Sequence, residues 1–97
     1  MLVNLRKMLA DAEAGGYAIG CINTPNLETI RGVIAAAEEI NVPLIIDHAQ
    51  VHDEEGITVE VIGPQMVEYA RKAKVPVCVH VALVRSEERR VGKECRS

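Results

Sequence analysis

Four side chains that can bind ligands or move protons stand where apolar runs of the sequence end. Asn23 follows the run YAIGCI, Asp47 and His48 follow VPLII, and His80 closes VPVCVH. If these runs are parallel strands, the four side chains meet at the carboxyl edge of one sheet, where α/β proteins bind their ligands. The alternative is that strands simply give way to polar loops, and the pattern alone does not decide between the two.

Some of these side chains could also bind a metal independently. His48 and His52 are four residues apart in an acidic stretch, and that spacing on a helix is typical of zinc ligands. The stretch is predicted to be a loop and HExxH is absent, so a solvated rim loop is the default interpretation. His80 is interpreted mainly as a structural strand residue, with metal binding as the weaker alternative. Cys21 and Cys78 lie inside apolar runs and are interpreted as small core residues.

Helix signals predict the elements that carry these strands. Asn4 is a candidate cap for a first helix that stops at Gly15-Gly16, because glycine adopts the left-handed conformation of a helix end. Asn26 is a candidate cap for a second helix that ends near Asn41. Gly63-Pro64 is predicted to open a third helix, with proline in its first turn.

Three apolar runs of strand length accompany these helices, at 17–22, 42–46 and 75–80. They are predicted to be buried strands, with a polar loop over 47–56 and a short extension at 59–62. The order, a helix and then β-α-β-α-β, predicts an α/β fold with a parallel sheet. Three strands fit either a small open doubly wound sheet or an incomplete (β/α)8 barrel, which needs about eight strands and roughly 250 residues.

Composition excludes several classes of function. The chain has 97 residues, 48% hydrophobic and 26% charged, which predicts at most one soluble globular domain. A net charge of −3, with two Tyr and no Trp or Phe, argues against nucleic-acid binding. Three cysteines without a disulfide framework favour a reducing compartment. No apolar stretch approaches the roughly 18 residues of a membrane span, so no membrane partner and a cytoplasmic location are predicted.

The joint run of segments resembles a known family. A short helix is followed by AGGYAIG and an Asn, then by NLETIRGVIAAAEEINVPLII, and later by VIGPQMVEYARKAKVPVCVH. Over about residues 1–80 this is similar to the start of class II (metal-dependent) fructose-bisphosphate and tagatose-bisphosphate aldolases. The resemblance implies the first part of a (β/α)8 TIM barrel. It also implies a homo-oligomeric lyase of carbohydrate metabolism that cleaves a phosphorylated sugar, fructose- or tagatose-1,6-bisphosphate, into dihydroxyacetone phosphate and glyceraldehyde 3-phosphate.

The resemblance also implies a chemistry and some of its residues. In the family a divalent metal, usually zinc, polarises the carbonyl of dihydroxyacetone phosphate, and a carboxyl group transfers a proton. Asn23 matches the Asn that contacts the dihydroxyacetone phosphate part of the substrate. Asp47 and His48 are weaker substrate-binding candidates. A family serine falls near Ala49, so that contact is missing.

The largest departure from the family follows His80. The family continues into a hydrophobic residue and then Asp-His-Gly, where the Asp is the general acid/base and the His is a metal ligand. Here Ala82 stands at the Asp position and Leu83 at the His position. Neither side chain can transfer a proton or bind zinc. We therefore expect zinc in the full-length parent only, and we expect this chain to be inactive and to bind no zinc.

The last thirteen residues, RSEERRVGKECRS, match no part of the family. They resemble the translation of a widely used sequencing-library adapter, and the alternative is a natural, solvated, charged tail. The predicted division is therefore 1–84, the N-terminal part of an aldolase barrel, and 85–97, a tail of non-native appearance.

Two other functions stay open at the level of sequence. One is a non-catalytic interaction module, a complete three-stranded α/β unit, which would unfold cooperatively in isolation. The other is a different phosphate-handling barrel enzyme, for which only later strands would be diagnostic. Against the module, two uncovered strand edges are predicted to leave apolar surface in water.

Overall fold

The computed structural model describes residues 1–49, 56, 58–82 and 95–96. Its helices are α1 (Leu5–Gly15), α2 (Leu27–Ile40) and α3 (Val59–Lys72), and its strands are β1 (Gly20–Asn23), β2 (Leu44–Ala49), β3 (Val77–Ala82) and β4 (Cys95–Arg96). Most of the predicted loop 47–56, including His52, lies outside the described residues, as does most of the tail 85–97. No helix within the described ranges is long and apolar enough to cross a membrane.

The strands form one sheet in the order β1-β2-β3-β4. Strands β1, β2 and β3 run parallel, with α2 and α3 as the two crossovers between them. This confirms the predicted α/β class and the order of a helix followed by β-α-β-α-β. The two residues of β4 pair antiparallel with the end of β3, Ala82 opposite Cys95.

Local capping interactions explain why α1 and α2 begin and end where the sequence predicts. The Asn4 side chain accepts a hydrogen bond from the Lys7 amide at 2.8 Å. Asn26 and Thr29 form a reciprocal capping box, with the Thr29 amide donating to Asn26 Oδ1 at 2.9 Å. Gly16 ends α1 in the left-handed conformation with φ of 72°. These interactions lie within a few residues, so the sequence contains all the information that they need.

Helix α3 begins at Val59, so the prediction that Gly63-Pro64 opens it is wrong. The Thr58 carbonyl already accepts hydrogen bonds from the amides of Val61 and Ile62. Ile62 is buried, as are Met66 and Ala70 at successive four-residue steps. Packing of this stripe therefore starts two residues before the proline. Pro64 is exposed, so the backbone hydrogen bond that it cannot donate is lost on the outer side of the helix.

The strands also differ from the apolar runs. Strands β2 and β3 start and end two to three residues later than predicted, so Asp47, His48 and Ala49 lie within β2 and β3 reaches Ala82. Strand β1 is shorter than its run and all of its residues are exposed, so its prediction as a buried strand is wrong. The reason is its position at the edge of the sheet, next to β2 only.

The sheet separates two apolar clusters. On one face Ile46, Leu44 and Val77 pack with the buried residues of α2 and α3, and we call this the α2–α3 face. On the other, Ile45 and Cys78 pack with Met8 of α1, and we call this the α1 face. Alternation along each strand assigns every other strand residue to the same face, which fixes where the polar strand ends point.

Candidate functional site

Parallel pairing brings three of the predicted residues into one row across the sheet. Asn23 is the register partner of Asp47, and Asp47 is the register partner of His80. Asp47 lies two residues after Ile45 and His80 two residues after Cys78, so the row is on the α1 face. It stands nearer the carboxyl ends of the strands than the α1 packing does. The expected convergence of polar strand ends is therefore present in the structure.

The centre of the row is a hydrogen-bonded pair. His80 Nδ1 lies 2.8 Å from Asp47 Oδ1, and both side chains are largely buried, with 7% and 14% of their surfaces exposed. The Asp47 backbone is held as well, because its carbonyl accepts from the Thr24 amide at 2.8 Å and from the Thr24 hydroxyl at 3.3 Å. Thr24 is itself completely buried. A buried polar pair with such support holds a fixed geometry.

His48 does not join this row. It follows Asp47 by one residue, so alternation places it on the α2–α3 face, and it is 1% exposed. The structure thus separates the two weaker substrate-binding candidates: Asp47 lies beside Asn23, whereas His48 lies under the helices.

Cys21 belongs to the site, although the sequence predicts it to be a core residue. It lies in exposed β1, and its Sγ, an Asp47 carboxylate oxygen and a His80 ring nitrogen all lie within 4.8 Å of one another. The core prediction for Cys21 is wrong, whereas Cys78 is buried at 1% exposure as predicted. The spacing of Cys21 two residues before Asn23 was the available signal, because it places both on one face of a strand.

The two thiols also differ in burial, and burial affects the pKa of Cys78. Burial raises the pKa of the Cys78 thiol above its ordinary value, and negative charge on Cys21 raises it further. Desolvation disfavours a thiolate more than a thiol, so Cys78 stays protonated under conditions where an exposed cysteine can ionise.

Beyond the row, the strand ends carry only small apolar groups. Ala49 and Ala82 are register partners at the ends of β2 and β3, and their methyl groups can neither accept a proton nor bind a metal. A cleft of about 850 Å³ lies elsewhere. It is lined by residues 2–6 together with Val67, Cys78 and Val79. Neither Asp47 nor His80 lines that cleft, so it is separate from the row.

The sequence profile of the class-II fructose-bisphosphate aldolases matches residues 3–82. The chain belongs to this family. The match covers α1 through β3, so the family relationship concerns the same residues that form the parallel sheet and the row at its carboxyl edge.

Individual relatives agree with the profile. The chain is 35% identical over 84 residues to a fructose-bisphosphate aldolase of Thermus caldophilus, which is 84% of the chain and 26% of that protein. It is 42% identical over 45 residues to a fructose-bisphosphate aldolase of Staphylococcus aureus. The fold is similar to the crystal structure of the YdjI aldolase from Escherichia coli K12, with a TM-score of 0.78 and 40% identity, covering 91% of this chain and 34% of that one. The chain thus spans about a quarter of the Thermus caldophilus aldolase and about a third of the YdjI chain.

Class II aldolases are metal-dependent, and the residues of this chain do not fit that metal at the positions where the resemblance implies it. Ala82 stands at the end of β3 with a methyl group only, and Leu83, outside the described residues, has no donor atom in its side chain. We therefore derive no catalytic step through a metal for this chain. The one group of metal-binding side chains among the described residues is Cys21, Asp47 and His80.

Proposed function

We propose that the chain is the N-terminal fragment of a zinc-dependent ketose-bisphosphate aldolase. The longer protein would cleave fructose- or tagatose-1,6-bisphosphate reversibly to dihydroxyacetone phosphate and glyceraldehyde 3-phosphate, as a cytoplasmic homo-oligomer. The observation that carries the proposal is the family match over 3–82, which coincides with a parallel sheet similar to one third of an aldolase chain. A phosphorylated sugar is the corresponding substrate class.

Within this proposal Asn23 is the residue that contacts substrate. It ends exposed β1 and is the register partner of Asp47, and its amide can both donate and accept hydrogen bonds. Sugar hydroxyl and carbonyl groups need both capacities. Asp47 is next to it, while buried His48 contributes to the packing of β2 rather than to substrate contact.

The chain itself has no catalytic residue in this proposal. Ala82 occupies the acid/base position and Leu83 the metal-ligand position. Residues 1–84 represent the barrel fragment, and 85–97 represent translated adapter. The nucleotide sequence of the source tests this division. An unbroken genomic sequence that encodes 85–97 with codons unlike those of the adapter would contradict it.

The decisive experiment uses the contiguous gene. We expect its product to continue after residue 80 into Asp-His-Gly, to cleave a ketohexose 1,6-bisphosphate, and to lose activity with a chelator and regain it with zinc. The 97-residue chain, assayed beside it, should be inactive with and without zinc. Activity that survives the chelator but is destroyed by borohydride in the presence of substrate would indicate a Schiff-base lysine and contradict the proposal.

A further inference from the structure

We propose that Cys21, Asp47 and His80 form a binding site for a borderline-soft divalent metal ion, of the class of zinc or cobalt, within this chain. This site is separate from the family position at Leu83, and it departs from the expectation that the fragment binds no metal. That expectation rests on Ala82 and Leu83, whose side chains have no donor atoms. The inference stands on the geometry of the sheet and is independent of the aldolase proposal.

The first argument is the set of donor atoms. A thiolate, a carboxylate and an imidazole are the three side-chain types that hold Zn²⁺ in proteins. A thiolate also disfavours magnesium and calcium, which prefer oxygen ligands. The donor atoms of Cys21, Asp47 and His80 lie within 4.8 Å of one another. The three residues come from three adjacent strands, so sheet pairing rather than a flexible loop holds them together.

The second argument is distance. Ligand atoms about 2.0 to 2.3 Å from a zinc ion in tetrahedral geometry are roughly 3.3 to 3.8 Å from one another. The present separations bracket that range, from 2.8 Å between His80 Nδ1 and Asp47 Oδ1 to at most 4.8 Å within the cluster. Binding therefore needs shifts of about half an ångström to one ångström, and side-chain rotation supplies these without moving the strands.

The third argument is charge. Asp47 as a carboxylate and Cys21 as a thiolate together carry two negative charges, which balance a divalent cation when His80 is neutral. Two of the three ligand side chains, Asp47 and His80, are largely buried, and a site without net charge avoids most of the desolvation cost of an ion beside them. Binding displaces the thiol proton into solvent.

The fourth argument is access and support. Cys21 is exposed, Asp47 is partly buried and His80 is buried. An ion can therefore enter from the β1 side and reach the buried His80. Thr24 holds the Asp47 backbone from the side, through two hydrogen bonds to its carbonyl. Three protein ligands leave a fourth position open for water, as in zinc sites that bind an exchangeable ligand.

The test is a titration of the complete 97-residue chain with Co²⁺ in the absence of reductant and chelator, followed by displacement with Zn²⁺. We expect one equivalent of Co²⁺ to give a thiolate-to-cobalt charge-transfer band in the near ultraviolet and intense visible bands of tetrahedral cobalt. Both should disappear when Zn²⁺ is added.

Variants identify the ligands. Cys21→Ser is nearly isosteric at an exposed position and should remove the charge-transfer band and weaken binding by at least about tenfold. Asp47→Asn keeps an oxygen acceptor for His80 but removes the negative charge, so it should also weaken Co²⁺ binding. If Asp47 only positioned His80 and did not bind the ion, this substitution would leave the Co²⁺ affinity unchanged. Circular dichroism should show unchanged secondary structure in both variants.

Matched controls test whether the other two thiols or the histidine His52 bind the ion. Cys78→Ala and Cys95→Ser remove the other two thiols, and His52→Gln removes the other histidine of the predicted acidic loop, so all three should keep the band. The proposal is overturned if the chain gives no charge-transfer band at one equivalent of Co²⁺. It is equally overturned if the band persists in Cys21→Ser, or if it disappears in any of the three control variants while circular dichroism shows that variant to be folded.

Discussion

Asn23, Asp47 and His80 lie far apart in the sequence, and parallel register alone makes them neighbours. Asp47 and His80 form a hydrogen-bonded pair, with 2.8 Å between His80 Nδ1 and Asp47 Oδ1. The same register places Ala49 beside Ala82, and neither side chain carries a polar group. Polar and apolar side chains therefore lie next to each other at one edge of the sheet.

Thiol chemistry tests the environments of two residues on this face. In the presence of a chelator we expect iodoacetamide to modify Cys21 at least about tenfold faster than Cys78 at neutral pH, because Cys78 is buried and its pKa is raised. The rate at Cys78 should increase as pH rises through that elevated pKa. It should also increase in urea, where burial is lost. Mass spectrometry of peptides reports each cysteine separately.

Zinc provides the matched control for this experiment. If the proposed metal site forms, one equivalent of zinc slows modification of Cys21 and leaves that of Cys78 unchanged. Equal rates at the two cysteines in native buffer would contradict the buried environment of Cys78.

At the scale of elements, the sequence predicts what depends on near neighbours and misses what depends on distant ones. The caps at Asn4, Asn26 and Gly16 are local, and α1 and α2 have the predicted ends. Whether β1 is buried depends on its position at the edge of the sheet. The local sequence of β1 does not specify that position. Helix α3 starts early because Ile62 packs into the core, a contact that overrides the proline signal.

The site shows the same limit. The sequence identified Asn23, Asp47 and His80 as strand-end residues but could not supply the register that pairs Asp47 with His80. It placed Cys21 in the core because its run is apolar, and it could not assign His48 to a face because β2 was predicted to end before it. Face assignment needs the strand boundary, and the boundary extends three residues past the apolar run.

Helix capping gives a prediction at this scale. Asn26→Ala removes the capping box of α2, so the first turn of α2 should open more easily by about 1 kcal/mol. Thr58→Ala at the start of α3 is the matched control, because Thr58 makes no side-chain capping bond, and it should have a much smaller effect. Amide hydrogen exchange at Thr29, whose N–H bonds to Asn26 Oδ1, measures the local opening directly. Similar effects of the two substitutions would contradict the role of the capping box.

At the scale of the whole molecule, the fragment exposes apolar surface beside β1. Ile22 and Val42 are 40% and 38% exposed, and Ile40 at the end of α2 is 68% exposed. Together with Gly20, Val33 and Ala36, these residues line an open apolar groove. A strand edge next to such a groove favours pairing with another chain, and in a closed barrel no edge would remain.

We therefore expect the isolated chain to self-associate and to lack a sharp monomeric unfolding transition. Ile22→Lys places a charge on the β1 edge and should lower the average mass in light scattering toward that of a monomer. Ile30→Lys is the control of equal charge, and because Ile30 is completely buried it should abolish the secondary structure instead. A concentration-independent monomer with a sharp thermal transition would favour the non-catalytic module over the barrel fragment.

The longer protein offers the test of what the end of β3 contributes. We predict that transferring this chain's Ala82 and Leu83 into the contiguous gene product, in place of its own residues there, lowers kcat by at least about 100-fold, because one general acid/base contributes roughly that much. Ala82 lies in strand pairing and is only partly buried, so circular dichroism should show an unchanged fold. Exchanging Ala82 alone separates loss of the proton-transferring group from loss of the metal ligand, since bound zinc should then be retained. Full activity after the double exchange would show that the end of β3 does not carry the chemistry, and it would contradict our reason for expecting this chain to be inactive.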